Sequence, residues 1–245
     1  MSSVDIREIE KYTKRAKIWW DLNGPQMLLH KHTPAIRIPF IIHGLSSTGK
    51  IKNNNKNLLQ GLKILDVGCG GGITTEPLAL LKAEVTGVDP APALIDVANE
   101  HLKIHENLKI EYICDTIEGY SVKNQQKFDA VICCEVLEHV ADVRSVLKSS
   151  VETLKPGGSI FVTTFNKTIF SFFWAIIFME MICGIIPRGA HKWSMFISPE
   201  DVSKILEDYN CETVEVRGAW YSLFKKQWNE SKYKDVFYGL HAVKK

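Results

Sequence analysis

The chain has 245 residues, 45% of them apolar and 24% charged. That length and balance provide for one large domain or two small ones with a full core, and they exclude a disordered or fibrous chain. Lysine plus arginine number 30 against 28 for aspartate plus glutamate, so there is no general field to capture nucleic acid and no nucleic-acid partner is expected. The six cysteines show no C-x-x-C spacing, which predicts reduced thiols and neither a zinc knuckle nor a redox dithiol. Met1 to Glu10 holds three acids and no apolar run, so neither a secretory signal nor a transit peptide is expected there.

In chain order, residues 1–60 read as a helical, aromatic lead-in that ends in a polar connector over 46–57 with almost nothing to bury. Residues 61–245 alternate short apolar runs with helix-like segments. Strands are expected at about 63–67, 84–88, 109–114, 128–134, 158–164, 212–217 and 236–243, and helices at about 74–82, 92–105, 142–154 and 199–208. Ser198-Pro199-Glu200 is a helix start with proline at the first helical position, and Pro156-Gly157-Gly158 is a stop before the next strand. The pattern predicts an α/β fold, a doubly wound, seven-stranded, mostly parallel sheet of Rossmann-like type. On such a sheet a ligand binds beyond the carboxyl ends of the strands, where the strand order reverses.

The first strand runs into Asp66-Val67-Gly68-Cys69-Gly70-Gly71-Gly72. Glycines there permit positive φ and let backbone N–H groups approach a ligand that a Cβ would push away. Asp89 ends the second strand, where an acid can accept both hydroxyls of a ribose. The loop lacks the wider glycine spacing of a dinucleotide site and the Gly-Lys-Ser/Thr of a phosphate loop, so a nucleoside without phosphates fits it better. Together with Leu154-Lys155-Pro156-Gly157-Gly158, these residues resemble the class I S-adenosylmethionine-dependent methyltransferases over 63–164. The resemblance implies that Gly68 and Gly70 line the methionine portion of the cofactor, that Asp89 holds its ribose, and that Asp115 lies near the adenine.

After the fourth strand, Glu135-Val136-Leu137-Glu138-His139 is the densest titratable group in the chain, at the mouth where a transferable methyl would sit. Glu135 and His139 are four apart and can share one ion on a helix, whereas bringing Glu138 in as well needs a strand-to-helix bend. A phenol-like hydroxyl has a pKa of about 10, so a methyl acceptor of that type needs help to become an oxyanion. A divalent ion acting as a Lewis acid would provide it, or His139 would take the proton directly. Oxygen ligands favour Mg²⁺ and the imidazole favours Zn²⁺, so the ion stays open on these grounds.

Trp19-Trp20-Asp21-Leu22-Asn23-Gly24-Pro25, Leu29-His30, Arg37-Ile38-Pro39-Phe40-Ile41, the run Cys133 to His139, and Ile186-Pro187-Arg188-Gly189-x-His191 are similar to the O-methyltransferases of ubiquinone biosynthesis, over about 12–243. The resemblance implies methylation of catechol-type hydroxyls on a polyprenylated ring at two steps of that pathway. It implies Glu135, Glu138 and His139 as catalytic Mg²⁺ ligands, with Arg37, Gly68, Asp89 and Cys134 at the cofactor. It also implies other ubiquinone-biosynthesis proteins as partners and a peripheral place on the matrix side of the mitochondrial inner membrane. The spacing from His30 to Arg37 is one residue longer than the family pattern.

Ile169 to Ile186 carries one charge, Glu180, and five aromatic residues. As a helix it would reach about 27 Å, slightly short of the roughly 30 Å of a bilayer core. A crossing would also split one sheet between two sides of a membrane. The region 167–188 is therefore expected to be an insertion that lies in the membrane interface, with Lys167 and Arg188 toward headgroups, or to cover the site as a lid. His191, just beyond it, is a candidate second base or substrate contact. Two other functions remain open from sequence: a metal-independent methyltransferase of another small or lipid molecule, and a non-catalytic scaffold of a biosynthetic complex.

Overall fold

The computed structural model describes residues 3–51, 57–105 and 107–245, so residues 52–56 of the expected connector lie outside the described residues. Its centre is one eight-stranded sheet in the order β3-β2-β1-β4-β5-β8-β6-β7. The strands are β1 (Lys63–Val67), β2 (Glu84–Asp89), β3 (Ile110–Cys114), β4 (Phe128–Cys134), β5 (Leu154–Phe165), β6 (Cys211–Ser222), β7 (Gln227–Ser231) and β8 (Phe237–Lys244). The first five pair in parallel, and β8, β6 and β7 complete the edge in antiparallel. The seven expected strands are all present. The eighth, β7, pairs with the second half of a β6 that runs on past the expected end at 217. Its sequence, Gln-Trp-Asn-Glu-Ser, has no apolar alternation, which is why it gave no strand signal.

Period-two alternation along the strands separates two apolar layers. Leu65 and Val67 of β1 and Val131 and Cys133 of β4 pack on one face with Val146, Leu147 and Val151 of a helix over Val143–Thr153, and with Val202 and Leu206 of another over Pro199–Glu207. Ile64, Ala130, Ile132 and Phe161 face the other way, against Leu78 and Ala79 of a helix over Thr75–Leu80. The same layer takes Ile38, Phe40, Ile41 and Leu45 from a helix over Ile38–Ser47, so the lead-in contributes to the core of the sheet. The helix starts are as expected: the Ser198 side chain accepts from the Asp201 N–H, and Pro199 follows it.

One boundary differs. β5 begins at Leu154, which pairs with Phe128, and the ladder resumes at Ser159 opposite Ala130. Pro156-Gly157-Gly158 is therefore a bulge within β5, with Gly157 at φ +72°. The apolar insertion also departs from a regular helix. Three α-helical residues, Ile169–Ser171, capped by Thr168, continue as a π-helix over Phe172–Ile182. Among the described residues no helix is long and apolar enough to cross a membrane.

Phe161 lies fully buried in the second layer, stacked on His241 at 4.4 Å between ring centroids and edge-on to Phe40 at 5.7 Å. Phe161→Ala is expected to lower unfolding free energy by about 3–5 kcal/mol, read as a lower urea midpoint with an unchanged slope.

Candidate active site

Strand order reverses at β1, which has β2 on one side and β4 on the other. The carboxyl ends of these strands open into a cavity of about 270 Å³ whose wall includes Arg37, Gly68, Gly70, Asp89, Asp115, Cys134, Glu135 and His139. Gly68 and Gly70 sit at φ +66° and +54°, where a side chain would be strained. A Cβ on Gly70 would also meet the Trp19 ring at 2.5 Å. Asp89 fastens this turn to the end of β2: one oxygen accepts the Gly70 N–H and the other the Ala91 N–H, both at 2.9 Å. Burial pushes its carboxyl up to about 6. Each oxygen keeps a further lone pair, which suits a ribose diol. Asp115, beyond β3, accepts the Thr116 N–H at 2.7 Å.

The end of β4 turns sharply. Glu135 adopts φ +57°, an uncommon conformation for a side chain with a Cβ, and the chain then enters a 3-10 turn over Leu137–His139. This is the bend that the acidic cluster was expected to need, and it sends the two glutamates in different directions. Glu135 goes to Arg37, with which it forms an ion pair. Arg37 is buried and donates also to the Thr74 and Thr33 hydroxyls, at 2.5 and 3.4 Å. It reaches that position because Thr33–Arg37 winds as a π-helical turn. A π turn takes up one extra residue without ending the helix. Cys134 is a wall of the cavity, and burial pushes its thiol up to about 11, so it is an unreactive packing residue there.

Glu138 instead turns inward and is 2% exposed. The Thr164 hydroxyl donates to its Oε2 at 2.7 Å, and its Oε1 has no hydrogen-bond partner. Burial, reinforced by the charge of Glu135, raises its carboxyl to about 8. His139 beside it is lowered to about 4 by burial and is neutral at pH 7. Its Nδ1 lies 3.0 Å from Glu8 Oε2, and a carboxylate can only accept, so Nδ1 carries the proton and Nε2 accepts from the Tyr12 hydroxyl at 2.9 Å. Donor atoms of Glu138, His139 and His191 all lie within 4.8 Å of one another. Glu138 and His139 lie together with His191, and Glu135, on the cavity wall, is paired with Arg37.

The amino-terminal segment closes over these groups. Val4 bridges Val140, the Ala141 N–H donates to the Ser3 carbonyl at 2.7 Å, and Lys11 donates to the Ala190 carbonyl at 2.6 Å. Trp19 lies on the glycine turn, and the Trp20 indole donates to the Gly71 carbonyl at 3.0 Å. Sequence reasoning singled out the two tryptophans only through a family motif and missed Glu8 and Tyr12 altogether, since neither stands in a patterned stretch.

In chelator-treated protein the folded state holds the Glu138 proton from about pH 4.5 to about 8, where the unfolded chain has lost it. Stability from this group therefore falls as pH rises through that window. Glu138→Gln removes the dependence. It is expected to melt close to the parent near pH 5 and several degrees above it near pH 9, on a scale of about 2–4 °C per kcal/mol, as measured by melting curves across that range.

Comparison with known proteins agrees with this geometry. A family profile described as a methyltransferase domain matches residues 39–216. The mouse mitochondrial ubiquinone biosynthesis O-methyltransferase is 39% identical over 245 residues, covering 99% of this chain and 66% of its own length, so the chain spans just under two thirds of that relative. The ubiquinone biosynthesis O-methyltransferases of Bradyrhizobium sp. (strain ORS 278) and Rickettsia prowazekii are 39% and 37% identical, covering 98% and 100% of this chain and 94% and 93% of their own. Among solved structures, the Synechocystis magnesium protoporphyrin IX methyltransferase with bound SAM superposes with a TM-score of 0.56 at 17% identity, over 85% of this chain and 78% of that one. A Thermotoga maritima SAM-dependent methyltransferase gives 0.57 at 16% identity over 98% and 99%. These two share the fold, and the closer sequences carry the assignment: the chain belongs to the ubiquinone biosynthesis O-methyltransferases, a family of the class I, S-adenosylmethionine-dependent methyltransferase fold.

Proposed function

We propose that this protein is an S-adenosylmethionine-dependent O-methyltransferase of ubiquinone biosynthesis that methylates catechol-type hydroxyls on polyprenylated ring intermediates, with the help of a divalent metal ion. The observation that carries the reading is one continuous cavity. It joins the glycine turn and Asp89 to Glu135 and His139, and runs on to an apolar wall that includes Trp174, Met179, Trp228 and Phe237.

The residues present fit both groups. An uncharged, left-handed glycine turn backed by a ribose-binding acid suits a nucleoside sulfonium, with Asp115 on the adenine side. Glu138 has an unpaired, buried carboxyl oxygen, which is costly unless a cation or a donor completes it, and His139 is a neutral imidazole held by Glu8. S-adenosylmethionine supplies an electrophilic methyl, and a divalent ion held by Glu138 and His139 favours the oxyanion of the acceptor hydroxyl. Mg²⁺ or Zn²⁺ would serve. The protein's own work is to orient and to exclude water. Arg37 and Glu135 neutralise each other at the wall, Trp19 seals the glycine turn, and Glu8 holds the His139 ring with its one lone pair on Nε2, toward the Tyr12 hydroxyl.

A polyprenyl tail keeps the substrate in lipid, so this reading includes a peripheral membrane site. Ile169, Phe170, Phe173, Met181 and Ile182 are each more than half exposed along the apolar insertion, with Lys167 and Arg188 exposed at its ends. The mammalian relatives are mitochondrial by name, which supports a mitochondrial place for this chain. The inner membrane, its matrix side and association with other proteins of the pathway belong to the same proposal.

With S-adenosylmethionine and a prenylated catechol, a singly methylated product is expected by mass spectrometry, lost on chelation and restored by Mg²⁺ or Zn²⁺. No methylated product would reject the reading, and turnover indifferent to chelator would reject its metal part. In liposome co-sedimentation, Phe170→Glu with Phe173→Glu is expected to weaken binding at least about tenfold. Equal sedimentation of parent and variant would remove the membrane site.

A further inference from the structure

The helix that follows the glycine turn, Thr75–Leu80, carries a buried acid, Glu76, which is 3% exposed. Acids are rarely buried without partners. His101 spans this one, with Nδ1 at 2.8 and 3.0 Å from its two carboxyl oxygens. A carboxylate only accepts, so Nδ1 carries the proton and the imidazole is tied in one orientation, on the last turn of the helix over Pro92–Leu102. His105 Nε2 stands 3.8 Å from the same carboxylate.

The face of the His101 ring is occupied. Trp20 stacks on it with ring centroids 3.4 Å apart and planes within 3° of parallel. Trp20 also meets His30, at 5.2 Å between centroids, and His30 Nε2 donates to the Trp19 carbonyl at 2.9 Å. Held between two tethered imidazoles, the Trp20 indole donates to the Gly71 carbonyl. The glycine turn is thus gripped through both kinds of backbone group: Asp89 accepts the Gly70 N–H, and Trp20 donates to the Gly71 C=O. Trp19, the neighbour of Trp20, lies so close over the turn that a Cβ on Gly71 would meet its ring at 2.3 Å.

Such a grip has a physical purpose. Gly68, Gly70 and Gly72 all sit at positive φ, and a run of glycines loses more conformational freedom on being fixed than any other sequence. A turn left to itself would have to be ordered by the ligand, at a cost in affinity, whereas a turn fixed beforehand has met that cost on folding. Among the described residues Glu76, His101 and Trp20 stand outside the cavity wall, so they act on a ligand only through the turn and through Trp19.

We infer that His101 is a positioning residue for the nucleoside cofactor: pinned by Glu76, it carries Trp20, and through Trp20 it fixes the glycine turn and seats Trp19 upon it. The inference rests on the nucleoside part of the proposed function and is independent of the metal and of the ring that accepts the methyl.

The test is a double-mutant cycle on the full chain, with S-adenosylhomocysteine affinity read by calorimetry. His101→Gln keeps a donor for Glu76 and removes the ring, whereas Trp20→Phe keeps a ring and removes the indole N–H. Each is expected to weaken S-adenosylhomocysteine binding by about tenfold. The two together are expected to weaken it by about the same factor, since both break one chain of contacts, where independent effects would multiply to about a hundredfold. In turnover the loss is expected in the KM for S-adenosylmethionine, with kcat at saturation and the KM for the prenylated catechol unchanged, a split that general loosening of the fold would not produce. His101→Gln with parental affinity overturns the inference, and so does a double variant weakened about a hundredfold. Should His101→Gln fail to fold, Trp20→Phe decides alone, and parental affinity there overturns it. A parent that binds no S-adenosylhomocysteine sinks the nucleoside reading itself, an outcome distinct from either of these.

Discussion

The end of β4 is governed by a carboxyl group with nowhere to go. Glu138 is buried, accepts from Thr164 through one oxygen, and has nothing to complete the other. An unpaired buried carboxylate is too costly to persist as such. It must hold a proton or face a cation, and burial raises it to about 8 in the absence of one. Much of the neighbourhood follows from serving that group. The left-handed residue at Glu135 turns Glu138 inward, Arg37 draws Glu135 away, and the two histidines near Glu138 are each held by a carboxylate, His139 by Glu8 from 131 residues away and His191 by Glu180 from 11.

The fold that delivers these groups is simple in comparison. Alternating strand residues feed two apolar layers, and the sheet brings the ends of β1, β2 and β4 to one rim. The rim supplies the nucleoside side of the cavity and the titratable side from adjacent strands. The remaining walls come from segments outside the parallel core: the amino-terminal helix over Ile6–Thr13, the π-helix over Phe172–Ile182 and the hairpin of β6 and β7.

Most of the sheet was legible because a buried parallel strand writes itself as a short apolar run between turn signals. Asp89 and the glycine turn were legible for a related reason, since positive φ and an acid at a strand end leave a local trace. What stayed hidden depends on contacts distant in sequence. Glu8 and His139 are 131 residues apart, and Tyr12 and His139 127. The departure of Glu135 needed the partner Arg37 to be placed, and that depended on a π turn that no periodicity announces. Glu180 was visible as the lone charge in an apolar stretch, but its direction was not, because inward and outward positions on a π-helix do not follow the 3.6-residue period.

The stitching of residues 3–20 across the cavity has a consequence for traffic. With Trp19 lying on the glycine turn and Ser3 and Val4 tied to the chain around Val140 and Ala141, a nucleoside held by Asp89 cannot leave past them until that flap peels back. Trp174 and Met179 of the apolar insertion line the same chamber. Renewal of a nucleoside in that chamber is thereby tied to the loosening of a segment far from it in sequence.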